Sequence, residues 1–163
     1  MAEGPPAAEA GLTALIPEPV LAILRAEPGP QQEFDQAIPL LTVDPDGFAH
    51  VALLSRGQLR ADPAGRELLA SVWGAGTKAN LLASGRATVM LADDSAAYYL
   101  KLTVTRTIEH AARLGVALAP GRCTSDSAGV QLAPMGFRRS AELAAREGWE
   151  ADARVLDLLA GTP

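Results

Sequence analysis

Gly74-Ala75-Gly76-Thr77-Lys78 is the stretch of this chain whose residue types and spacing point most directly to chemistry. Glycines let the backbone approach an anion, and the free amides of a helix start, a threonine hydroxyl and a lysine ammonium can each donate to a phosphate. The glycine spacing of a P-loop is missing. A capped, Gly-rich strand-to-helix turn also serves as plain structural punctuation, so the motif alone leaves both readings open. Beside it, Trp73 carries an indole that can stack on a flat ring or simply pack. Tyr99 and Lys101 sit on a later strand from which both can reach the same ligand.

Other chemistries have less to work with. His50 and His110 are the only histidines, and neither stands in a metal-ligand spacing, so structural roles are expected and no metal is proposed. Ser55, Ser71 and Ser84 lie outside any nucleophile-elbow pattern, and Cys123 has no activator nearby in the sequence. Asp93-Asp94-Ser95 is a turn signal more than a paired-carboxylate site. No catalytic side chain is assigned.

The elements that must position these residues follow from periodicity. Pro19 to Leu24 reads as a short helix, and Glu27 to Gln32 as a linker. Ala37–Val43 and Phe48–Leu54 are apolar runs on either side of Asp44-Pro45-Asp46-Gly47, a hairpin pattern, with Pro39 suited to a strand start or an edge. Arg56 to Arg66 reads as loop, Leu68 to Trp73 as strand, and Thr77 to Ser84 as helix with Thr77 as N-cap and Gly85 as terminator. Ala87–Leu91 and Ala97–Thr107 are strands. Alternation on the latter puts Tyr98, Leu100, Leu102 and Val104 on a core face, and Tyr99, Lys101, Thr103 and Thr105 on a face free for chemistry. Val116–Ala119 and Val130–Ala133 are expected strands around a Cys123–Gly129 loop, and Ser140–Arg146 and Glu150–Leu159 are helices. Strands first and helices last predict an α+β fold, a small antiparallel β-barrel of about six to seven strands with flanking helices. Residues 1–11 read as a flexible tail and 12–163 as a single domain.

With 163 residues, 48% of them hydrophobic, the chain can bury a core without disulfides, and its single cysteine allows none within the chain. A formal net charge of −5 argues against nucleic-acid binding. Lys78 and Lys101 are the only lysines. No basic n-region and no long apolar run occur, so neither a signal peptide nor a membrane span is expected, and a cytoplasmic setting fits.

His50-Val51-Ala52-Leu53-Leu54-Ser55, Ser71-Val72-Trp73, Gly76-Thr77-Lys78-Ala79-Asn80-Leu81, Ser84-Gly85-Arg86 and Tyr98-Tyr99-Leu100-Lys101, in that order, resemble the pyridoxamine 5'-phosphate oxidase-related family. The resemblance is strongest in the middle third of the chain and extends loosely from Ala37 to about Arg139. It implies an FMN-binding split barrel with the cofactor at a homodimer interface. On that resemblance, His50, Val51, Ala52, Leu53, Leu54 and Ser55 line the ribityl chain and ring, Val72 and Trp73 flank the cofactor, and Thr77 and Lys78 hold its phosphate. Tyr99 approaches from its strand, with Asn80 and Lys101 nearby. Two departures matter: Ala79 stands where the oxidases carry a further basic residue, and their C-terminal Arg-x-His substrate motif is absent. The expectation is an FMN-dependent oxidoreductase of unassigned substrate, not a pyridoxamine phosphate oxidase. The alternatives are a non-catalytic module for flavin, F420 or haem, with His50 or His110 as axial ligand, and a dimer whose cofactor site has decayed.

Overall fold

The computed structural model describes residues 14–26, 33–127 and 129–161. In chain order its elements are α1 (Glu18–Arg25), β1 (Phe34–Gln36), β2 (Ile38–Val43), β3 (Ala49–Leu54), a 3-10 turn (Arg56–Gln58), β4 (Leu59–Ala61) and β5 (Leu68–Val72). There follow α2 (Ala75–Ser84), β6 (Arg86–Ala92), β7 (Ala97–His110), β8 (Arg113–Asp126), β9 (Gly136–Arg138), α3 (Ala141–Glu147) and α4 (Trp149–Ala160). The fold is the expected α+β split barrel. Seven antiparallel strands run in the order β3-β2-β6-β7-β8-β5-β4, and β1 pairs with β9 in a separate ribbon.

That strand order forces curvature. The edge strands β3 and β4 are joined only by Ser55–Gln58. The five chain steps from Leu54 to Leu59 reach at most roughly 18 Å. A flat seven-stranded sheet has six spacings of about 4.8 Å, roughly 29 Å in all. The sheet must curl until its edges approach, and the side chains on the concave face become the core. Ile38, Leu40, Val89, Leu100, Val116, Leu118 and Leu68 are all buried there. α1 adds Val20 and Leu21 to the same cluster. Arg56, in the joining turn, donates from Nε to Asp35 Oδ1 at 2.6 Å and from Nη1 to the carbonyls of Ile23 and Ala26, tying α1 and β1 to the seam.

On the convex side, α4 packs Val155, Leu156 and Leu159 against Leu69, Ala117 and Ile108. Its close approach depends on Gly115, where a Cβ would stand 2.6 Å from Val155 Cγ1, 2.8 Å from Ile108 Cγ2 and 2.9 Å from Leu159 Cδ1. Asp152, fully buried in α4, accepts from Ser71 Oγ at 2.6 Å and lies 3.2 Å from Arg113 Nε. Burial pushes this carboxyl above the ordinary carboxylate range, against the lowering effects of Ser71 and Arg113.

Several boundaries differ from expectation. The Arg56–Arg66 segment holds the 3-10 turn and β4, and Cys123–Asp126 belongs to β8. β8 is carried that far by a long ladder to β7, which a local reading of polar residues does not reveal. Val130–Ala133 is irregular, not a strand. α2 begins at Ala75 with Gly74 as N-cap, so Thr77 lies inside the helix, while Gly85 closes it with φ 63° as foreseen. The expected tail at 1–11 and the whole linker at 27–32 fall outside the described residues.

Gly115→Ala is expected to destabilise the protein by about 1–3 kcal/mol in urea unfolding, because the new methyl overpacks the α4 contact. Combining it with Val155→Ala is expected to cost less than the sum of the two single changes.

Candidate functional site

The predicted site residues divide between two places. The first is the mouth of the barrel, where α2 meets the β2–β3 hairpin. His50 Nε2 is 3.1 Å from Thr77 Oγ1, and His50 Nδ1 is 3.3 Å from Asp44 Oδ1. Asn80, 4% exposed, donates from Nδ2 to Asp44 Oδ1 at 2.7 Å and to Thr42 Oγ1 at 3.1 Å. The imidazole lies so close to α2 that a Cβ on Gly76 would stand 2.7 Å from His50 Cε1. Gly76 is therefore required by the packing of His50. Thr77, 2% exposed, turns its hydroxyl to His50, and Lys78 Nζ donates to the Ala112 carbonyl at 3.1 Å. That carbonyl belongs to a two-residue hairpin loop in which Ala111 and Ala112 both have positive φ, the conformation that tight β-hairpins need.

The second place is the convex face of β3, β2, β6, β7 and β8. Val51, Leu53, Tyr99 and Lys101 all point this way. Register carries one row from Val51 through Leu41, Thr88 and Lys101 to Arg122. A neighbouring set pairs Leu53 with Pro39, and Met90 with Tyr99 and Thr124. Val51 is 54% exposed and Leu53 56%. β3 is an edge strand, so its outer backbone groups have no ladder partner. A groove of about 430 Å³ opens on this face between Val43, Arg86, Thr88, Lys101 and Thr103.

The remaining predicted residues are structural or lie apart. Leu54 and Val72 are core, and Ala52 packs against it. Ser55 is buried and shares a capping box with Gln58. Trp73 is 55% exposed at the start of the α2 turn. Asp93 is the expected turn residue: Ser95 Oγ and N, with Ala96 N and Tyr98 Oη, donate to it and hold its carboxyl at about 2. Burial pushes the Cys123 thiol up, away from thiolate chemistry. Among the described residues no group of three or more His, Cys, Asp and Glu side chains is placed to hold a metal ion. No helix among them is long and apolar enough to cross a membrane.

Sequence reasoning missed Thr42 and Asp44 at the mouth and Arg86, Thr88 and Arg122 on the convex face. The signal for Arg86 and Thr88 was available in the alternation of Ala87–Leu91. The Asn80 partner of Asp44 comes from a helix more than thirty positions away, for which no local pattern exists.

No family model matches the chain, and no curated protein matches its sequence. Solved structures match in fold. HupZ of Group A Streptococcus superposes with a TM-score of 0.52 at 14% identity, over 73% of this chain and all of that one. The conserved hypothetical protein Rv2991 of Mycobacterium tuberculosis gives 0.50 at 13% identity, over 80% and 98% of the two chains. Nitrilotriacetate monooxygenase component B of Mycobacterium thermoresistibile gives 0.50 at 12%, over 64% and 76%. At these identities the likeness is one of architecture.

Asn80→Ala is expected to destabilise the fold by about 1–3 kcal/mol, because it strips a donor from Thr42 and Asp44 in a buried setting. Denaturant titration of the variant checks this.

Proposed function

We propose that the protein is a flavin-dependent split-barrel oxidoreductase that uses FMN and acts as a homodimer. The observation that carries the reading is the convex face of the edge strand β3. There Val51 and Leu53 stand exposed with free backbone groups along one side, and Tyr99 and the Lys101 groove lie three strand spacings away on the same face. Exposed apolar side chains suit the face of a flat ring. The outward N–H and C=O groups of the edge strand β3, which face away from its ladder to β2, suit the polar edge of the ring, which needs donors and acceptors in alternation. The shared architecture with a monooxygenase component supports a redox role over a structural one.

When bound, the flavin supplies the electron transfer. The chain's part is to place it. β3 orients the ring through its backbone, Val51 and Leu53 exclude water from one face, and Tyr99 borders it. Trp73 is available to cover an edge. Thr77, Asn80 and His50 act at one remove, because their hydrogen bonds hold the β2–β3 hairpin against α2 and so set the line of β3. This division requires no catalytic side chain. Both ring nitrogens of His50 have partners within the fold, which argues against His50 as a haem ligand.

The same face argues for a second copy. Val43, Val51, Leu53 and Phe48 are each more than half exposed along one end of the sheet. An unprotected apolar edge of this kind invites pairing with another chain.

Purified protein, as isolated or after incubation with FMN, is expected to show flavin absorbance and to quench FMN fluorescence with saturation. NAD(P)H is then expected to bleach the bound flavin and an added electron acceptor to restore it. Protein that takes up neither FMN nor F420 would sink the flavin reading, and a bound flavin that no donor reduces would favour a carrier over an enzyme. In light scattering the wild type is expected at twice the 16.9 kDa chain mass. Val51→Glu is expected at the single-chain mass with its far-UV spectrum intact.

A further inference from the structure

We infer that the groove between β6 and β7 is an anion site, lined by Arg86 and Lys101 with Arg122 as the cross-strand neighbour of Lys101, and that it takes the phosphate of the bound cofactor. The assignment of the phosphate to a flavin rests on the functional reading above; the anion site itself rests on the charges alone.

Arg86 and Lys101 line a groove of about 430 Å³ together with the hydroxyl-bearing Thr88 and Thr103. Lys101 is paired directly with Arg122 on β8. It is also diagonal to Arg86, which faces Thr103 two positions along β7. Diagonal cross-strand neighbours lie roughly 7–8 Å apart, close enough for two long cationic side chains to converge on one phosphate.

Among the described residues these cations share one face and have no carboxylate partner there. The chain carries a net charge of −5, and most of its arginines pair with a carboxylate, as Arg60 does with Asp157 and Arg106 with Glu67. Arg86, Lys101 and Arg122 form no ion pair among the described residues. Lys101 Nζ reaches Thr88 Oγ1 at 3.3 Å. Like charges placed opposite each other across a ladder repel, so this arrangement costs stability in the free protein and is relieved by a bound anion.

The site also answers a difficulty at α2. The residues expected to hold a phosphate there are engaged within the fold: Thr77 is buried with its hydroxyl at His50, and Lys78 Nζ is at the Ala112 carbonyl. On the convex face, by contrast, the row Val51–Leu41–Thr88–Lys101–Arg122 runs from apolar to cationic. Val51 and Lys101 are three strand spacings apart, roughly 14 Å. A ring at the apolar end and a phosphate arm at the cationic end match this gradient in both chemistry and reach.

The test compares FMN with riboflavin, which lacks only the phosphate, by fluorescence titration of the wild type, Arg86→Gln, Lys101→Gln and Lys78→Ala. The wild type is expected to prefer FMN by at least about tenfold. That preference should fall towards unity in Arg86→Gln and Lys101→Gln, with riboflavin affinity unchanged, and persist in Lys78→Ala. Preference kept in the groove variants, or lost only in Lys78→Ala, overturns the assignment. Thermal unfolding in inorganic phosphate against chloride of equal ionic strength separates the site from the flavin reading. If neither flavin binds, that reading fails. A saturable rise in melting temperature specific to phosphate, absent in both groove variants, still upholds the anion site, and no rise beyond chloride overturns it.

Discussion

The four-residue seam from Ser55 to Gln58 is the constraint on which the rest of the molecule depends. It joins the two edges of a seven-stranded sheet with a link too short to span that sheet laid flat. Curling follows, and with it the division of every strand into a concave face that packs and a convex face that remains available. β3 is left as an edge on whose convex side Val51 and Leu53 stand more than half exposed. The seam is secured accordingly: Ser55 and Gln58 cap each other, and Arg56 reaches across to Asp35 and the end of α1.

Two polar assemblies brace the barrel. At its mouth, Thr42, Asp44, His50, Thr77 and Asn80 lock the hairpin onto α2 through hydrogen bonds that are buried or partly buried. Outside the wall, Ser71, Arg113 and Asp152 tether α4, with Arg113 also donating to the carbonyls of Glu147 and Gly148. In both, removing one partner leaves a buried polar group unsatisfied, which costs more than the bond itself contributes. The convex face is the opposite case, since its cations are left unpaired within the fold.

Much of the architecture was legible in the sequence because it is written locally. The Asp44–Gly47 turn, the period of two through Tyr98–Val104 and the Gly85 terminator each depend on a few neighbouring residues. The same alternation marked Tyr99, Lys101 and Thr103 as a face apart from the core, which the register of β6 and β7 bears out. Reading failed where a neighbour distant in sequence decides the outcome. β8 extends through Cys123–Asp126 because β7 pairs with it, and β4 exists because β5 offers an edge.

The Gly-rich turn shows where the two kinds of information part. By itself the sequence determined that a helix follows the Gly-rich turn after a strand, with its start placed at Thr77, two residues late, and that the turn's glycines permit a close approach, since conformational freedom is a property of the residue. It could not say what approaches. Tertiary structure brings His50 against Gly76 and turns Thr77 inward, while it gathers Arg86, Lys101 and Arg122 from three different strands onto one face. Local geometry is set by each residue's own sterics, whereas a binding surface is set by register between strands, and register is decided only when the sheet closes on its core.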